Sequence, residues 1–259
     1  MKNHDSSRKN GIKPCFVTTS WDDGHFLDLK IADLLLKYDL QGTFYVPFIN
    51  EKYKIIGENE IRSIAKNFEI GAHTVNHISL VNIPLNRAKK EIFGCKKRLQ
   101  DIIDTEVVMF CYPRGLYNIS VANIVREAGF IGARTAERFQ TKLSQNLYTM
   151  STTVHVFPHS SIINIGHLLH RRNIFGLVKY ISKSKMTSNF VTLAIHFFEY
   201  VFQNGGVWHL WGHSWEIEEM GLWDNLEQIL KFVAGRDNVI YCSNREVIEK
   251  TYTLVRKGR

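Results

Sequence analysis

The sequence predicts an α/β fold built on a parallel sheet, and three observations carry that prediction. Short β-branched and apolar runs alternate with amphipathic helical patterns along most of the chain. Side chains suited to metal or proton chemistry fall just after two of those runs, where parallel α/β proteins assemble their sites. The length, 259 residues with 44% hydrophobic and 22% charged, suits one domain large enough to bury its own core. Seven or eight strand–helix units fit a closed barrel as readily as an open sheet.

The elements follow in order. Residues 1–12 read as a flexible polar N-terminus and 13–259 as a single domain, with no internal repeat and no Pro/Gly/Ser linker. The predicted strands are Cys15–Ser20, Gly42–Val46, Phe68–Ala72, Val107–Cys111, Phe130–Ala133, Gly206–Leu210 and Val239–Cys242. Leu27–Tyr38 repeats Ile31, Leu34, Leu35 and Tyr38 at the spacing of one helix face. Leu85–Ile103 follows Pro84, which suits a first turn, while Ser120–Ala128 and Asn225–Ala234 stop at Gly129 and Gly235. The stretch from Arg138 to Asn204 breaks the rhythm and reads as an inserted segment with one or two helices, such as Ile162–Leu169 and Asn189–Phe202.

Charge and cysteine usage narrow the classes. The net charge is +8, which favours anionic partners. The basic residues are scattered, and Lys89-Lys90 and Lys96-Lys97-Arg98 share one predicted helix. A solvated face, and no nucleic-acid partner, is the reading. His167 and His170, followed by two arginines, read the same way. The longest apolar stretch, Phe190–Phe202, is too short and too polar to span a bilayer. The four cysteines form no close cluster and read as reduced thiols, and no secretory signal is visible, so a cytoplasmic protein is expected.

Two strand ends carry the chemistry. The first strand runs into Trp21-Asp22-Asp23-Gly24-His25; paired carboxylates at the end of a buried strand are costly unless something uses them. Capping of the following helix is the alternative. The third strand runs into His73-Thr74-Val75-Asn76-His77, whose two imidazoles meet one ion if the segment turns helically. Two further histidine pairs share this spacing, His155/His159 and His209/His213. Only His73/His77 directly follows a predicted core strand and faces the same end of the sheet as Asp23. Asp23, His73 and His77 make three ligands, which leaves open positions of the kind catalytic metals keep. Asp22 is then free to act as a general base.

With Trp21-Asp22-Asp23-Gly24, His73-Thr74-Val75-Asn76-His77 and Cys111-Tyr112-Pro113-Arg114-Gly115, the chain resembles the polysaccharide deacetylases, the chitooligosaccharide-deacetylase-like superfamily, in motif order and spacing. The resemblance covers roughly residues 13–136 and the segment around Leu210–His213. It implies a distorted (β/α)7 barrel with Asp22 as base and Asp23, His73 and His77 as metal triad. The cofactor it implies is one divalent ion, zinc first, with cobalt, nickel, manganese or iron(II) as alternatives. Tyr112, Pro113 and Arg114 would line the groove, with the Arg114 backbone N–H on the oxyanion. Leu210-Trp211-Gly212-His213 resembles the late Leu-x-x-His motif and makes His213 the general acid. The reaction implied is removal of an N-acetyl group from an amino sugar, and the partner an N-acetylated sugar or glycan precursor.

One departure stands out. Many members open the third motif with an arginine that pairs with the base; here Cys111 holds that place, and Arg134 is the candidate substitute. His25 and Trp211 are candidate site-lining residues. The alternatives are an allantoinase-like hydrolase of a cyclic amide or imide, and a catalytically silent sugar-binding barrel.

Overall fold

The computed structural model describes residues 14–142 and 145–257; the expected N-terminal arm, residues 1–12, lies outside them. The sheet is entirely parallel. Its path is β5 (Gly132–Arg134), β4 (Met109–Cys111), β3 (Glu69–Ala72), β2 (Gly42–Val46), β1 (Cys15–Asp22), β7 (Gly206–Gly212) and β6 (Val154–His155), curled into the half-barrel of the expected distorted (β/α) fold. An eighth strand, β8 (Val239–Tyr241), pairs with Cys15–Val17 of β1, below the point where Thr19 begins to pair with β2.

β1 is central for a sequence reason. Every one of its eight residues is buried, which a strand flanked on both edges and both faces requires. Around it run α1 (Asp28–Lys37), α2 (Glu58–Ala65), α3 (Leu85–Ile103), α4 (Ile119–Glu127), α5 (Ser161–His170), α6 (Ile174–Ser182), α7 (Phe190–Asn204), α8 (Ser214–Glu219), α9 (Trp223–Val233) and α10 (Asn244–Lys257). α3 buries Ala88, Ile92, Cys95, Leu99 and Ile102, a stripe stepping by three and four residues. Asn118 and Asn189 cap α4 and α7 through their side chains, accepting from Val121 and Thr192 N–H.

Period-two alternation sorts the strands into two faces. Cys15, Val17 and Trp21 join the large core beneath the helices, while Phe16, Tyr45, Met109, Cys111 and Val207 join a smaller cluster inside the curl, plugged by Val247 and Ile248 of α10. The inner face becomes polar towards the C-terminal strand ends. Thr18 meets Asn244, Ser20 meets His209 and Asp22 meets Arg134.

Within the expected insertion, 138–204, lies part of the sheet itself. Met150 bonds to β5, donating to the Ala133 carbonyl and accepting from Thr135 N–H. Farther along, Thr153 and Val156 donate to the carbonyls of His209 and Trp211 in β7. The segment therefore spans the gap between the two ends of the sheet. Its strand, β6, is only two residues long, too short to show a period.

Candidate active site

The inward parity places Asp22, Cys111, Arg134 and Trp211 on the inner face of the curled sheet. Asp23 would point away if the strand continued. Instead it takes φ of 78°, which breaks the alternation and lets two consecutive carboxylates share one site. His73, just past β3, is followed by Thr74 at φ 67° and by His77 at φ 48°. The segment is thus irregular rather than helical, and left-handed turns bring the two imidazoles together. Arg114 is also left-handed, at φ 59°. The next residue, Gly115 (φ 67°), packs so closely on Ala136 that an added Cβ would meet its Cβ at 2.6 Å. Strained backbone of this kind costs of order 1–3 kcal/mol per residue and persists only where the surroundings impose it.

Asp23 Oδ1 lies 3.0 Å from His77 Nε2 and 3.6 Å from His73 Nε2. Trp215 Nε1 donates to its other oxygen at 2.9 Å. His73 Nδ1 donates to the Cys111 carbonyl at 2.8 Å, which leaves Nε2 as the ligating nitrogen of the neutral ring. Burial pushes the Asp23 carboxyl up, but bonds from His73 and His77 and the charge on His213 outweigh it and hold it well below the carboxylate range. His73 moves the other way. Burial lowers it, yet Cys111 and Asp23 carry it well above the ordinary imidazole value. The pocket thus demands positive charge among the Asp23, His73 and His77 ligand atoms, which lie within 4.8 Å of one another. One carboxylate oxygen and two imidazole nitrogens, with the rest of the shell open, fit a divalent transition metal.

Asp22 sits beside this triad without belonging to it. The Arg134 guanidinium donates to its Oδ1, and the Cys111 thiol lies 3.8 Å from its Oδ2. Cys111 and Arg134 are register partners on β4 and β5, so the guanidinium reaches Asp22 from the neighbouring strand. His213 Nε2 lies 3.9 Å from Asp22 Oδ2 and 4.0 Å from Asp23 Oδ2. Its Nδ1 is held at 2.7 Å by Glu216 Oε2. Burial lowers the His213 imidazole, but Glu216 and the two aspartates outweigh it and raise it above its ordinary value. Behind them Ser214 donates to the fully buried Asp28 at 2.6 Å.

Sequence reasoning missed a second layer. His155 Nε2 shares Glu216 Oε2 with His213, at 3.0 Å, and His155 Nδ1 meets His159 Nε2 at 2.9 Å. Burial pushes His155 down to about 4 and His159 to about 3, so both are neutral and the pair acts as hydrogen-bonding support for Glu216. The His-x-x-x-His spacing was visible, but its place in an irregular stretch hid it. A cleft of about 440 Å³ opens over Asp23 and His77 and is lined by Arg114, Tyr53 and Trp215, the last two stacked with centroids 4.6 Å apart. Trp211 does not line this cleft; it stacks on His155 at 3.9 Å and lies beneath Arg134. His25 packs against Phe26 and Tyr53, outside the cleft lining. Tyr112 turns inward and donates to the Tyr148 carbonyl at 3.1 Å, and Pro113 is buried, so of this motif Arg114 alone faces the cleft.

A curved parallel sheet thus brings two aspartates, two histidines and a late histidine together at its C-terminal ends, with Asp23, His73 and His77 able to hold a metal ion. Residues 9–133, a little under half of the chain, match the family model described as polysaccharide deacetylase, the family that the sequence motifs resemble. The fold recurs in a Mycobacterium smegmatis protein assigned to the polysaccharide deacetylases, 16% identical over 93% of this chain and 91% of that one (TM-score 0.61). It recurs in a family 4 acetyl xylan esterase from Clostridium thermocellum in complex with a cobalt ion, 15% identical over 92% of each chain (TM-score 0.58). The Streptococcus pyogenes deacetylase PplD in complex with acetate is 18% identical over 56% of this chain (TM-score 0.50), and the match spans 66% of that chain, a little under two thirds. No curated protein sequence matches the chain.

Proposed function

We propose that this protein removes the acetyl group from the nitrogen of an N-acetylated amino sugar. Its substrate would be a cytoplasmic precursor of a surface polysaccharide. One observation carries the chemistry: Asp22, neutralised by Arg134, and His213, held by Glu216, face each other across 3.9 Å beside the Asp23–His73–His77 triad. When bound at that triad, a divalent ion, zinc or a similar metal such as cobalt, would polarise the acetyl carbonyl and acidify a water.

The side chains divide the rest of the work. Asp22 takes the proton from the attacking water. The exposed Arg114 at the cleft, left-handed in backbone, would offer its N–H to the developing oxyanion. His213, whose charged form Glu216 and the two aspartates favour, gives its Nε2 proton to the sugar nitrogen as the C–N bond breaks. Acid assistance matters most for a poor leaving group, which favours an amide over an ester. Tyr53 and Trp215 offer flat apolar faces of the kind on which sugar rings stack. Four unpaired, buried cysteines suit a reducing compartment.

The test uses the cobalt-loaded protein and a panel of N-acetylhexosamine oligomers and glycosides, with acetate and newly formed primary amine both measured. Equal amounts of the two, absent in Asp22→Asn, are expected. Acetate without amine would mean ester hydrolysis, and amide cleavage without acetate would mean ring opening; either overturns this reading.

A further inference from the structure

The hairpin formed by α5 and α6 turns most of its large apolar side chains outward. A helix packed on a core turns its apolar stripe inward. In α6 the stripe is Ile174, Phe175, Val178 and Ile181, and it faces solvent, at 71%, 82%, 57% and 48% exposure. α5 adds Ile162, at 83%, with Ile163 and Leu169. The buried side of the pair anchors through Leu168 and Tyr180 and through polar groups. Asn164 is fully buried and accepts from Arg138, while the Tyr180 hydroxyl donates to the Thr187 carbonyl. His167, which reads in sequence as part of a solvated face, accepts from the Arg138 N–H at 3.1 Å.

The charge around this hairpin is equally one-sided. From Arg138 to Phe198 the chain has no Asp or Glu and seven Lys or Arg, so this stretch alone carries +7 of the net +8. Arg171 and Arg172 form the turn between the helices, and Lys183 and Lys185 follow α6; all four are exposed. Arg171 pairs with Glu137 at 3.1 Å. Arg172, Lys183 and Lys185 pair with no carboxylate among the described residues.

We propose that the α5–α6 hairpin docks this protein onto the surface of a bilayer rich in anionic lipids. Ile162, Ile174, Phe175 and Val178 enter the boundary between headgroups and acyl chains, while Arg172, Lys183 and Lys185 meet lipid phosphates. An exposed apolar stripe flanked by basic side chains is the arrangement that binds an interface. Helices of ten and nine residues lie in that plane rather than cross it, and no helix of the described residues is long and apolar enough to span a membrane. A second copy of the chain is the poorer occupant, because it would bring this surface against its own excess of positive charge. Nucleic acid would leave the isoleucines and Phe175 in water.

Co-sedimentation of the full chain with vesicles tests the proposal. It should pellet with phosphatidylcholine vesicles containing roughly one third phosphatidylglycerol and stay in solution with phosphatidylcholine alone, and added salt should weaken the binding. Phe175→Ser with Val178→Ser should lower the partition coefficient by about tenfold or more. Lys183→Glu with Lys185→Glu should do so by a similar factor. Melting temperatures of both variants should match the parent, since only exposed side chains change. The proposal is overturned if the parent stays in solution with the anionic vesicles, or if neither variant weakens binding. It is also overturned if light scattering shows a dimer that the Phe175→Ser, Val178→Ser variant dissolves.

Discussion

Replacing Arg134 with methionine removes a charge while keeping most of the side chain's length. Arg134 and Asp22 are both sealed from water, with side-chain exposures of 1% and 4%. Two unit charges about 4 Å apart attract by about 4 kcal/mol at an effective dielectric constant near 20. Removing one partner of such a pair leaves the other buried and uncompensated, and costs about 3–5 kcal/mol. The nearest remaining donor to Asp22 Oδ2 is the Cys111 thiol at 3.8 Å, too long and too weak to replace a guanidinium. In a chain of this size each kcal/mol moves the melting point by roughly 2–4 °C, so Arg134→Met should melt about 6–20 °C lower. The assay is a double-mutant cycle with Asp22→Asn, followed by urea unfolding of chelated protein so that metal loss does not contribute. In the Asp22→Asn background the same change should be neutral or stabilising, giving a coupling of about 3 kcal/mol. Equal costs in the two backgrounds would refute the pairing argument.

Three other outcomes follow from the geometry. His77→Ala should abolish stoichiometric metal binding in elemental analysis while leaving the circular dichroism spectrum intact; full occupancy would remove the triad. His213→Ala should slow amide hydrolysis by about 10²–10⁴-fold and activated-ester hydrolysis much less, so equal losses would take the general-acid role from His213. Glu69, at the start of β3, has its carboxyl pushed by burial from 4.5 to about 7, against bonds from Thr43, Arg245 and Ser243 that lower it. Its proton is held more tightly in the folded chain, so the stability it contributes is complete below about pH 4.5 and is lost as pH rises through 7. Glu69→Gln should therefore gain about 1–3 kcal/mol over the parent at pH 8 relative to pH 4, and parallel pH–stability curves would contradict this.

What was legible in the sequence was what is local. β2 at Gly42–Val46 and α3 at Leu85–Ile103 fall on their expected residues, because a β-branched and aromatic run marks the first and a helical stripe the second. Asp22 and Asp23 are neighbours in the chain, and His73 and His77 are four apart, so their convergence could be expected before any coordinates. α2 and α8 are short, at eight and six residues, too few for a period to stand out in the sequence. α6 was missed because an apolar stripe is normally a sign of core, and here it faces out. Glu216, three residues past His213, was within reach of a sequence reading; Tyr53 meets Trp215, and His155 meets Glu216, only through tertiary packing, and no spacing announces that.

The guanidinium over Asp22 stands on β5, where the motif resemblance led one to expect it on β4. Because Cys111 and Arg134 stand side by side in register, either position can deliver a guanidinium to the same carboxylate. A lineage moving between the two arrangements must pass through a form with two arginines crowded on Asp22 or with none. The first is repulsive and overfilled; the second strands a buried carboxylate. The two positions should therefore change hands together, and a search keyed to arginine at the start of the third motif would discard chains like this one even though a guanidinium covers Asp22.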